Sequence, residues 1–291
     1  MFIHLKDVSY TYNLNMPFET VALKSINLKI NKGEFIGVIG HTGCGKTTLL
    51  QLLNGLLEPT EGKVLVDNID IHQNKQKLRE VRKKIGLAFQ YPENQFFEET
   101  IAKEIAFGPK NMGIAGEELE QRIKKGIEMV GLDYYAYKDR SPFSLSGGEM
   151  RRIAIASILA IDPEILILDE PTASLDPQSC SKLLSVITDL YLKYQRTVIM
   201  VSHNMEIIAE LAKRIVVMEK GGIVMDDTPK NIFQHSLRKL ESIGLSLPPV
   251  THTMYELKKI GKPVSSAILT VEEAKDEILK LIRKRERNEI Y

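Results

Sequence analysis

Apolar and polar residues alternate in the first part of the chain and later give way to short apolar runs. Residues 2–12 and 21–30 alternate, which predicts strands of a sheet with one face exposed to water. Four runs are almost wholly apolar, as expected of strands buried on both faces: residues 35–39, 85–89, 165–168 and 197–201. Such strands alternating with helices predict an α/β core with a parallel sheet, whose functional groups lie along the carboxyl edge of the strands.

The middle and the end of the chain follow other patterns. From residue 98 to about 160 the sequence is helical and polar, which predicts a helical subdomain inserted into the α/β core. The main domain is expected to span residues 1–225. The remaining extension, residues 226–291, ends in an amphipathic helix over residues 271–282.

Composition limits the possible functions. The 291 residues are 43% apolar and carry a net charge of +1, so no strong preference for nucleic acid is visible. Two cysteines and no Cys/His metal cluster fit a reducing compartment. Neither a signal peptide nor a membrane-spanning segment is expected, so any role at a membrane requires a partner.

A glycine-rich loop follows the first apolar run. It reads Gly40-His41-Thr42-Gly43-Cys44-Gly45-Lys46-Thr47, which fits the pattern G-x-x-x-x-G-K-[ST]. Backbone N–H groups of such a loop hold phosphates, while Lys46 would reach the β- and γ-phosphates and the Thr47 hydroxyl would bind Mg²⁺. A chance glycine-rich turn is the alternative, but the preceding strand and the helical pattern from Lys46 onwards favour a nucleotide site.

Polar residues follow three of the other apolar runs. Asp169 follows residues 165–168 and is placed to hold Mg²⁺ through water, and Glu170 beside it is the candidate general base for hydrolysis. Gln90 is a candidate Mg²⁺ ligand, and His203 is a candidate partner of the γ-phosphate and the attacking water. Each residue alone is compatible with a surface turn, but parallel strands bring all four to one edge.

A second glycine-rich turn precedes a helix at residues 145–149, Leu-Ser-Gly-Gly-Glu. One nucleotide normally needs a single phosphate-binding turn, so Ser146, Gly147 and Gly148 are expected to serve a nucleotide held by another subunit. Ser146 and Glu149 also fit a capping box, and both roles are compatible. Tyr12 is a candidate for stacking on adenine, with core packing as an equal alternative.

These motifs, in this order, resemble the ATP-binding subunits of ABC transporters over residues 1 to about 225. The resemblance implies a P-loop NTPase core with an N-terminal antiparallel β subdomain, an inserted helical subdomain and a small C-terminal extension, which is expected to serve dimerisation. By position, Tyr12 resembles the adenine-stacking aromatic, Gln90 the Q-loop glutamine and His203 the switch histidine. Ser146 to Glu149 resemble the signature motif, with Glu149 in place of the usual Gln, and a carboxylate there could still accept from a ribose hydroxyl.

Further residues of the nucleotide site follow from the same resemblance. Ser174 and Asp176 resemble the D-loop. The nucleotide-binding set comprises Tyr12 and the phosphate loop with its next residue: Gly40, His41, Thr42, Gly43, Cys44, Gly45, Lys46, Thr47 and Thr48. The implied cofactors are ATP and Mg²⁺, the latter bound by Thr47, Gln90 and Asp169.

Residues 89–100, 107–110 and 150–152 resemble the second, A2-type ATPase of energy-coupling factor transporters, which import vitamins and related micronutrients. The implied partners are a related ATPase in a heterodimer, a transmembrane scaffold and a substrate-binding membrane protein, at the cytoplasmic face of the cell membrane. Tyr91, Phe96 and Phe97 are expected either to contact the membrane partner or to pack in the core.

Two other functions remain open at this point. One is the homodimeric ATPase of a cobalt or nickel importer, which the sequence separates poorly from the A2 type. The other is a soluble ABC ATPase acting on ribosomes or DNA, which would usually carry two ATPase units, a long coiled-coil insertion or a basic surface. None of those features is visible in the sequence.

Overall fold

A computed structural model describes residues 2–235 and 237–289. Its strands are β1 Ile3–Tyr12, β2 Thr20–Ile30, β3 Phe35–Gly40, β4 Glu61–Val66, β5 Ile69–Asp70, β6 Ile85–Ala88, β7 Ile165–Asp169, β8 Thr197–Val201, β9 Arg214–Glu219 and β10 Gly222–Asp227. Its α-helices are α1 Lys46–Leu53, α2 Lys75–Lys84, α3 Ile101–Asn111, α4 Gly116–Met129, α5 Tyr134–Tyr137, α6 Gly147–Leu159, α7 Pro177–Leu192, α8 Met205–Leu211, α9 Pro229–His235, α10 Leu237–Ser242, α11 Pro249–Lys259 and α12 Val271–Glu289.

The strands form two sheets, as predicted. The first is antiparallel, in the order β2-β1-β4-β5, and contains the two alternating segments of the N-terminus. The second has the order β10-β9-β3-β8-β7-β6, and its strands from β9 to β6 run parallel. Only β10 differs, because the turn Lys220-Gly221 has positive φ at both residues and returns the chain antiparallel to β9.

The second sheet is buried on both faces, which explains its continuous apolar runs. One face packs against α1 and the antiparallel sheet, and the other against the helical insertion, α7 and α8. The predicted insertion corresponds to α3 through α6. Helix α2 was not predicted, because Val81 is the one buried residue in a helix otherwise composed largely of charged and polar residues.

The first part of the C-terminal extension packs into the main core. The predicted boundary after residue 225 falls inside β10. Beyond it, Ile232, Phe233 and Leu240 are buried with the core residues of the second sheet, and Leu245 and Leu247 join the same cluster. A separate small cluster around Met254, Val264 and Ala274 joins α11 to the predicted amphipathic helix α12. We therefore propose that the main core ends near residue 247.

Truncation tests this division. A chain ending after residue 227 loses several buried apolar side chains, each worth roughly 1.5–3 kcal/mol. We expect its unfolding temperature to fall by about 10 °C or more relative to a chain ending after Leu247. The unfolding temperatures of the two truncated chains and of the full chain are measured side by side. Equal unfolding temperatures for both truncations would contradict the proposed boundary.

Among the residues described, no helix is both long enough and apolar enough to span a lipid bilayer.

Candidate nucleotide site

The phosphate loop connects β3 to α1. Gly45 is the N-terminal cap of α1 and has a φ of 103°, in the region that favours glycine. A Cβ at this position would lie 2.6 Å from the Ala22 carbonyl oxygen, so the loop passes too close to β2 for any side chain. Gly45 therefore fixes the start of α1. The first N–H groups of this helix have no partner within it and remain available to an anion.

Lys46 is folded over the loop. Its Nζ donates to the carbonyl oxygens of Gly40 and His41, at 2.7 and 3.0 Å. Only 8% of the residue is exposed. The loop therefore holds the ammonium group in place, where it is available to the phosphates of a nucleotide.

Thr47 and Asp169 form the candidate magnesium site. The Thr47 hydroxyl donates to Asp169 Oδ2 at 2.9 Å. Burial raises the pKa of Asp169, while the Thr47 hydrogen bond and the Lys46 ammonium act in the opposite direction. The Gln90 side chain lines the same cavity, two residues beyond the end of β6.

Hydroxyl, carboxylate and amide oxygens suit Mg²⁺, which keeps several waters and binds substrate phosphates as well. In the described part of the chain, no group of three His, Cys, Asp or Glu residues could hold a metal by itself. The donors present therefore fit an ion shared with a nucleotide.

Glu170 and His203 lie side by side at the ends of β7 and β8. Glu170 has a φ of 50°, and its N–H donates to the Val201 carbonyl oxygen at 3.0 Å. Its Oε1 lies 3.3 Å from His203 Nε2, and its Oε2 accepts from the His203 N–H at 3.3 Å. Burial raises the pKa of the Glu170 carboxyl, which makes it a stronger base when ionised.

A single cavity of about 360 Å³ brings these groups together. Its lining includes the predicted residues Tyr12, Thr42, Gly43, Gly45, Lys46, Thr47, Thr48, Gln90, Asp169, Glu170 and His203. Thr20, Val21 and Ala22 also line it. The sequence did not predict these three residues as part of the site. Alternation in β2 predicts a strand with an exposed face, but it does not show which cavity that face borders.

Other predicted loop residues lie elsewhere. His41 and Cys44 border a second cavity of about 360 Å³, together with Met218 and Gly244. Cys44 is buried and donates its N–H to the His41 carbonyl oxygen at 3.2 Å. Cys44 therefore supports the loop from the protein interior, where its Sγ accepts a weak hydrogen bond from Lys46 Nζ at 3.9 Å.

Tyr12 stands at the rim of the first cavity. Its hydroxyl lies 3.1 Å from Thr48 Oγ1, and its ring meets Tyr10 edge to face at 4.8 Å. The residue is 37% exposed, so the alternative of core packing does not describe it. An aromatic ring held in this way at the mouth of a nucleotide cavity suits stacking on a base.

The second glycine-rich turn is separate from this cavity. Ser146 caps α6, and the predicted capping box is present, since Ser146 N–H donates to Glu149 Oε2 at 3.0 Å and Glu149 N–H to Ser146 Oγ at 3.4 Å. A Cβ on Gly148 would lie 2.3 Å from Ser179 Oγ, so the helix start fits against α7 only as glycine. None of the four residues from Ser146 to Glu149 lines the phosphate-loop cavity.

Comparison with known proteins identifies the family. A family profile described as ABC transporter matches residues 23–173. The energy-coupling factor transporter ATP-binding protein EcfA2 of Clostridium tetani is 50% identical over 288 residues, which cover 99% of this chain and 100% of that protein. EcfA2 of Clostridioides difficile is 47% identical and is covered over 99% of its length.

This chain belongs to the ABC transporter family. Within it, the chain is an energy-coupling factor ATPase, as the sequence predicted. Among solved structures, cbiO1 from Clostridium perfringens, part of the ABC transporter complex cbiONQ, is 32% identical, with a TM-score of 0.73 over 83% of this chain and 94% of that one. The ATP-binding cassette MJ0796, in a dimeric post-hydrolysis state bound to ADP and Pi, has a TM-score of 0.69 at 31% identity over 78% and 98% of the two chains.

Family membership confirms the fold class and the ATP-hydrolysing role of this subunit in a membrane transporter. The alternative function, a soluble ABC ATPase that acts on ribosomes or DNA, is therefore excluded.

Both carboxylate oxygens of Glu149, the unusual residue of this energy-coupling factor ATPase's signature turn, already accept hydrogen bonds. Its Oε1 accepts from the Tyr137 hydroxyl, and its Oε2 accepts from the N–H and the hydroxyl of Ser146. These bonds, the Tyr137 bond first, lower the pKa of Glu149 to about 2. The carboxylate therefore orders the signature turn, and contact with a ribose would have to share oxygens that already accept hydrogen bonds.

Glu149→Gln tests this role of the charge. Because the folded-state pKa of about 2 lies below the ordinary value of 4.5, the bonds of ionised Glu149 stabilise the fold above pH 4.5 and lose this effect as the pH falls towards 2. We expect the difference in unfolding temperature between wild type and variant to stay constant above pH 5 and to shrink below it. A difference that does not change over the acidic range would contradict the assigned bonds.

The D-loop residues are also held by local bonds. Ser174 has a φ of 61°, and its Oγ lies 3.1 Å from the Tyr91 hydroxyl. Asp176 caps α7 by accepting from the N–H groups of Gln178 and Ser179, both at 3.0 Å. These hydrogen bonds, that from the Ser179 side chain first, lower the pKa of the Asp176 carboxyl.

Proposed function

We propose that this chain hydrolyses ATP at a site shared with a second, related ATPase subunit, and that hydrolysis drives import of vitamins or similar micronutrients through membrane partners. The supporting observation is the separation of the two phosphate-binding elements. The phosphate-loop cavity contains the candidate base and the magnesium ligands, whereas Ser146, Gly147 and Gly148 lie outside it. A signature turn from a second chain would complete the site.

The residues of the cavity have complementary roles in this proposal. Lys46 and the loop N–H groups bind the β- and γ-phosphates. Thr47, Gln90 and Asp169 would hold Mg²⁺, which would offset phosphate charge. Glu170 accepts a proton from the attacking water, and burial has already raised its pKa towards that task. His203, which lies 3.3 Å from Glu170, orients the carboxylate and is placed to hydrogen-bond the γ-phosphate.

We propose that a transmembrane scaffold contacts the segment after Gln90. The three aromatic residues predicted there have different surroundings. Phe96 packs against the core, and Tyr91 lies over the Arg151 guanidinium, whereas Phe97 is 58% exposed. Phe97 meets Phe107 edge to face at 5.0 Å, and Phe107 is also exposed. This aromatic pair is the apolar surface that we assign to the membrane partner at the cytoplasmic face.

The extension provides a candidate contact with the second ATPase. In α12, Ala274 packs with α11, whereas Val271 and Ile282 are exposed. Since an apolar face of this kind is usually covered, we propose that the partner subunit covers it. The separate substrate-binding membrane protein of the complex would select the micronutrient.

A homodimer is the second candidate. The dimeric structure of the ATP-binding cassette MJ0796, to which this chain is 31% identical, is the observation that favours it. The EcfA2 relatives, at 47–50% identity over nearly the full chain, favour a heterodimer with a different ATPase.

Co-expression separates the two arrangements. The chain is produced with and without a candidate A1-type ATPase and the membrane scaffold, and each sample is analysed by mass and by ATPase rate. We expect a one-to-one pair with the second ATPase, and slow hydrolysis by this chain alone because its own signature turn cannot reach its own cavity. A stable, fully active homodimer that couples to the scaffold would show that the second candidate is correct.

A further inference from the structure

Arg151 is an unusual residue in the core of this protein. It lies in the second turn of α6, five residues after Ser146, and is 1% exposed. Among the described residues it is the largest side chain that is fully buried. A buried guanidinium needs several hydrogen-bond partners, and those partners identify what it holds together.

One side of the guanidinium binds Glu93. Arg151 Nε donates to Glu93 Oε2 at 2.7 Å and Nη2 to Oε1 at 2.9 Å, which is a two-pronged ion pair. Glu93 belongs to the short 3₁₀ helix Pro92–Gln95, which begins two residues after Gln90. The pair therefore connects the signature helix to the segment that follows the candidate magnesium ligand.

The other side binds the turn that follows the candidate base. Arg151 Nη1 donates to the carbonyl oxygen of Pro171 at 2.9 Å and to that of Glu170 at 3.4 Å. Nη2 donates to the Ala173 carbonyl oxygen at 3.4 Å. Glu170 has a left-handed φ of 50°, and its N–H donates to the Val201 carbonyl oxygen. Because Arg151 binds the Glu170 carbonyl oxygen, the peptide groups before and after Glu170 are both held by hydrogen bonds.

Tyr91 adds a third connection. Its ring centroid lies 5.3 Å from the Arg151 guanidinium carbon, within the range of a cation–π contact. Its hydroxyl lies 3.1 Å from Ser174 Oγ. Arg151, Glu93 and Tyr91 thus join the signature helix, the segment after Gln90 and the D-loop. We call this group the arginine clamp.

We propose that Arg151 is a positioning residue for hydrolysis, which acts with Glu93 to hold the Glu170 carboxylate and the D-loop in their working geometry. The proposal rests on the catalytic role of Glu170 given above. A buried ion pair contributes little net stability compared with apolar side chains of similar volume. The clamp should therefore affect the rate of the chemical step more than folding or ATP binding, since a small displacement of a catalytic group greatly slows a reaction.

The test uses the assembled complex with its partner ATPase. The double variant Arg151→Met/Glu93→Gln removes the clamp without leaving a buried charge unpaired. Arg151→Lys keeps the charge but lacks the planar fork that reaches both the carboxylate and the carbonyl groups. Asp226→Asn is the matched control, because Asp226 forms a comparable two-pronged pair with Arg214 at the antiparallel edge of the second sheet. Unfolding temperature, KM for ATP and kcat are measured for each.

We expect the double variant to fold and to bind ATP with a KM within about twofold of wild type, while kcat falls about tenfold or more. Arg151→Lys should lower kcat in the same way, and Asp226→Asn should not. Amide hydrogen exchange should accelerate at Ala173 and Leu175, whose N–H groups bond within the turn, but not in β8.

A folded double variant with kcat within about twofold of wild type would overturn the proposal. Parallel losses of unfolding temperature, ATP binding and kcat would also overturn it, because they would show a purely structural role. The Glu170→Gln variant distinguishes failure of the clamp from failure of the proposed catalytic role of Glu170. A slow Glu170→Gln with a fast double variant rejects the clamp alone, whereas a fast Glu170→Gln rejects the role of Glu170 and the clamp with it.

Discussion

Lys46→Ala is expected to abolish productive ATP binding and to reduce hydrolysis by at least about 10²-fold. The Lys46 ammonium is held by two loop carbonyl groups at 2.7 and 3.0 Å, and among the residues that the structure describes no other lysine lines the cavity. Without it, the charge of the β- and γ-phosphates has no neighbouring side-chain cation to offset it. Nucleotide binding and turnover are measured in the assembled complex with Mg²⁺.

Lys193→Ala is the control for this variant. Lys193 is exposed and pairs with Asp189 on α7, away from the phosphate loop. Its loss should leave binding and turnover unchanged. Hydrolysis at the wild-type rate by Lys46→Ala would reject the assignment of the phosphate loop.

Glu170→Gln is expected to leave ATP binding intact and to slow hydrolysis by about 10²-fold or more, the effect of losing a general base. The amide keeps the size of the side chain but cannot accept the proton of the attacking water. Glu164→Gln is the control, because Glu164 directly precedes the opposite end of the same strand, β7, and forms an ion pair with Lys32. Single-turnover rates and nucleotide affinity are measured for both variants.

Free hydrolysis by Glu170→Gln would place the base elsewhere. His203 would be the next candidate, because its Nε2 lies 3.3 Å from the Glu170 carboxylate and its side chain lines the same cavity.

The sheet and the location of the site could be predicted because their signals are local. A strand such as β3 is buried on both faces and therefore reads as an unbroken apolar run. The carboxyl ends of parallel strands meet at one edge, so Asp169, Glu170 and His203 could be placed together before their distances were known. The capping box at Ser146 has its own sequence spacing and was predicted in the same way.

Other features depend on contacts between distant segments. Phe233 and Leu240 look like residues of a separate extension, yet they complete the main core because α9 and α10 fold back onto the second sheet. Helix α2 contains only two apolar residues, Leu78 and Val81, so its helical pattern is short and easily overlooked among charged residues. The partners of Arg151 lie 58 and about 20 residues away, and a sequence without aligned relatives does not show such pairings.

The two oxygens of Glu149 illustrate the same limit within the site. The sequence indicates a capping box, but not the bond from Tyr137, which occupies the remaining oxygen. The motif alone suggests that Glu149 is available to a ribose hydroxyl, whereas in the structure both of its oxygens already accept hydrogen bonds.

Association of the Glu170→Gln subunit with its partner ATPase is the most direct test of a site shared between two chains. Masses of the pair are measured with and without ATP and Mg²⁺, using Lys46→Ala as the variant that should not respond to nucleotide. A shared site predicts that unhydrolysed ATP holds the Glu170→Gln pair closed, so the pair becomes more stable and retains the nucleotide. ATP bound to each subunit without any tightening of the pair would contradict it.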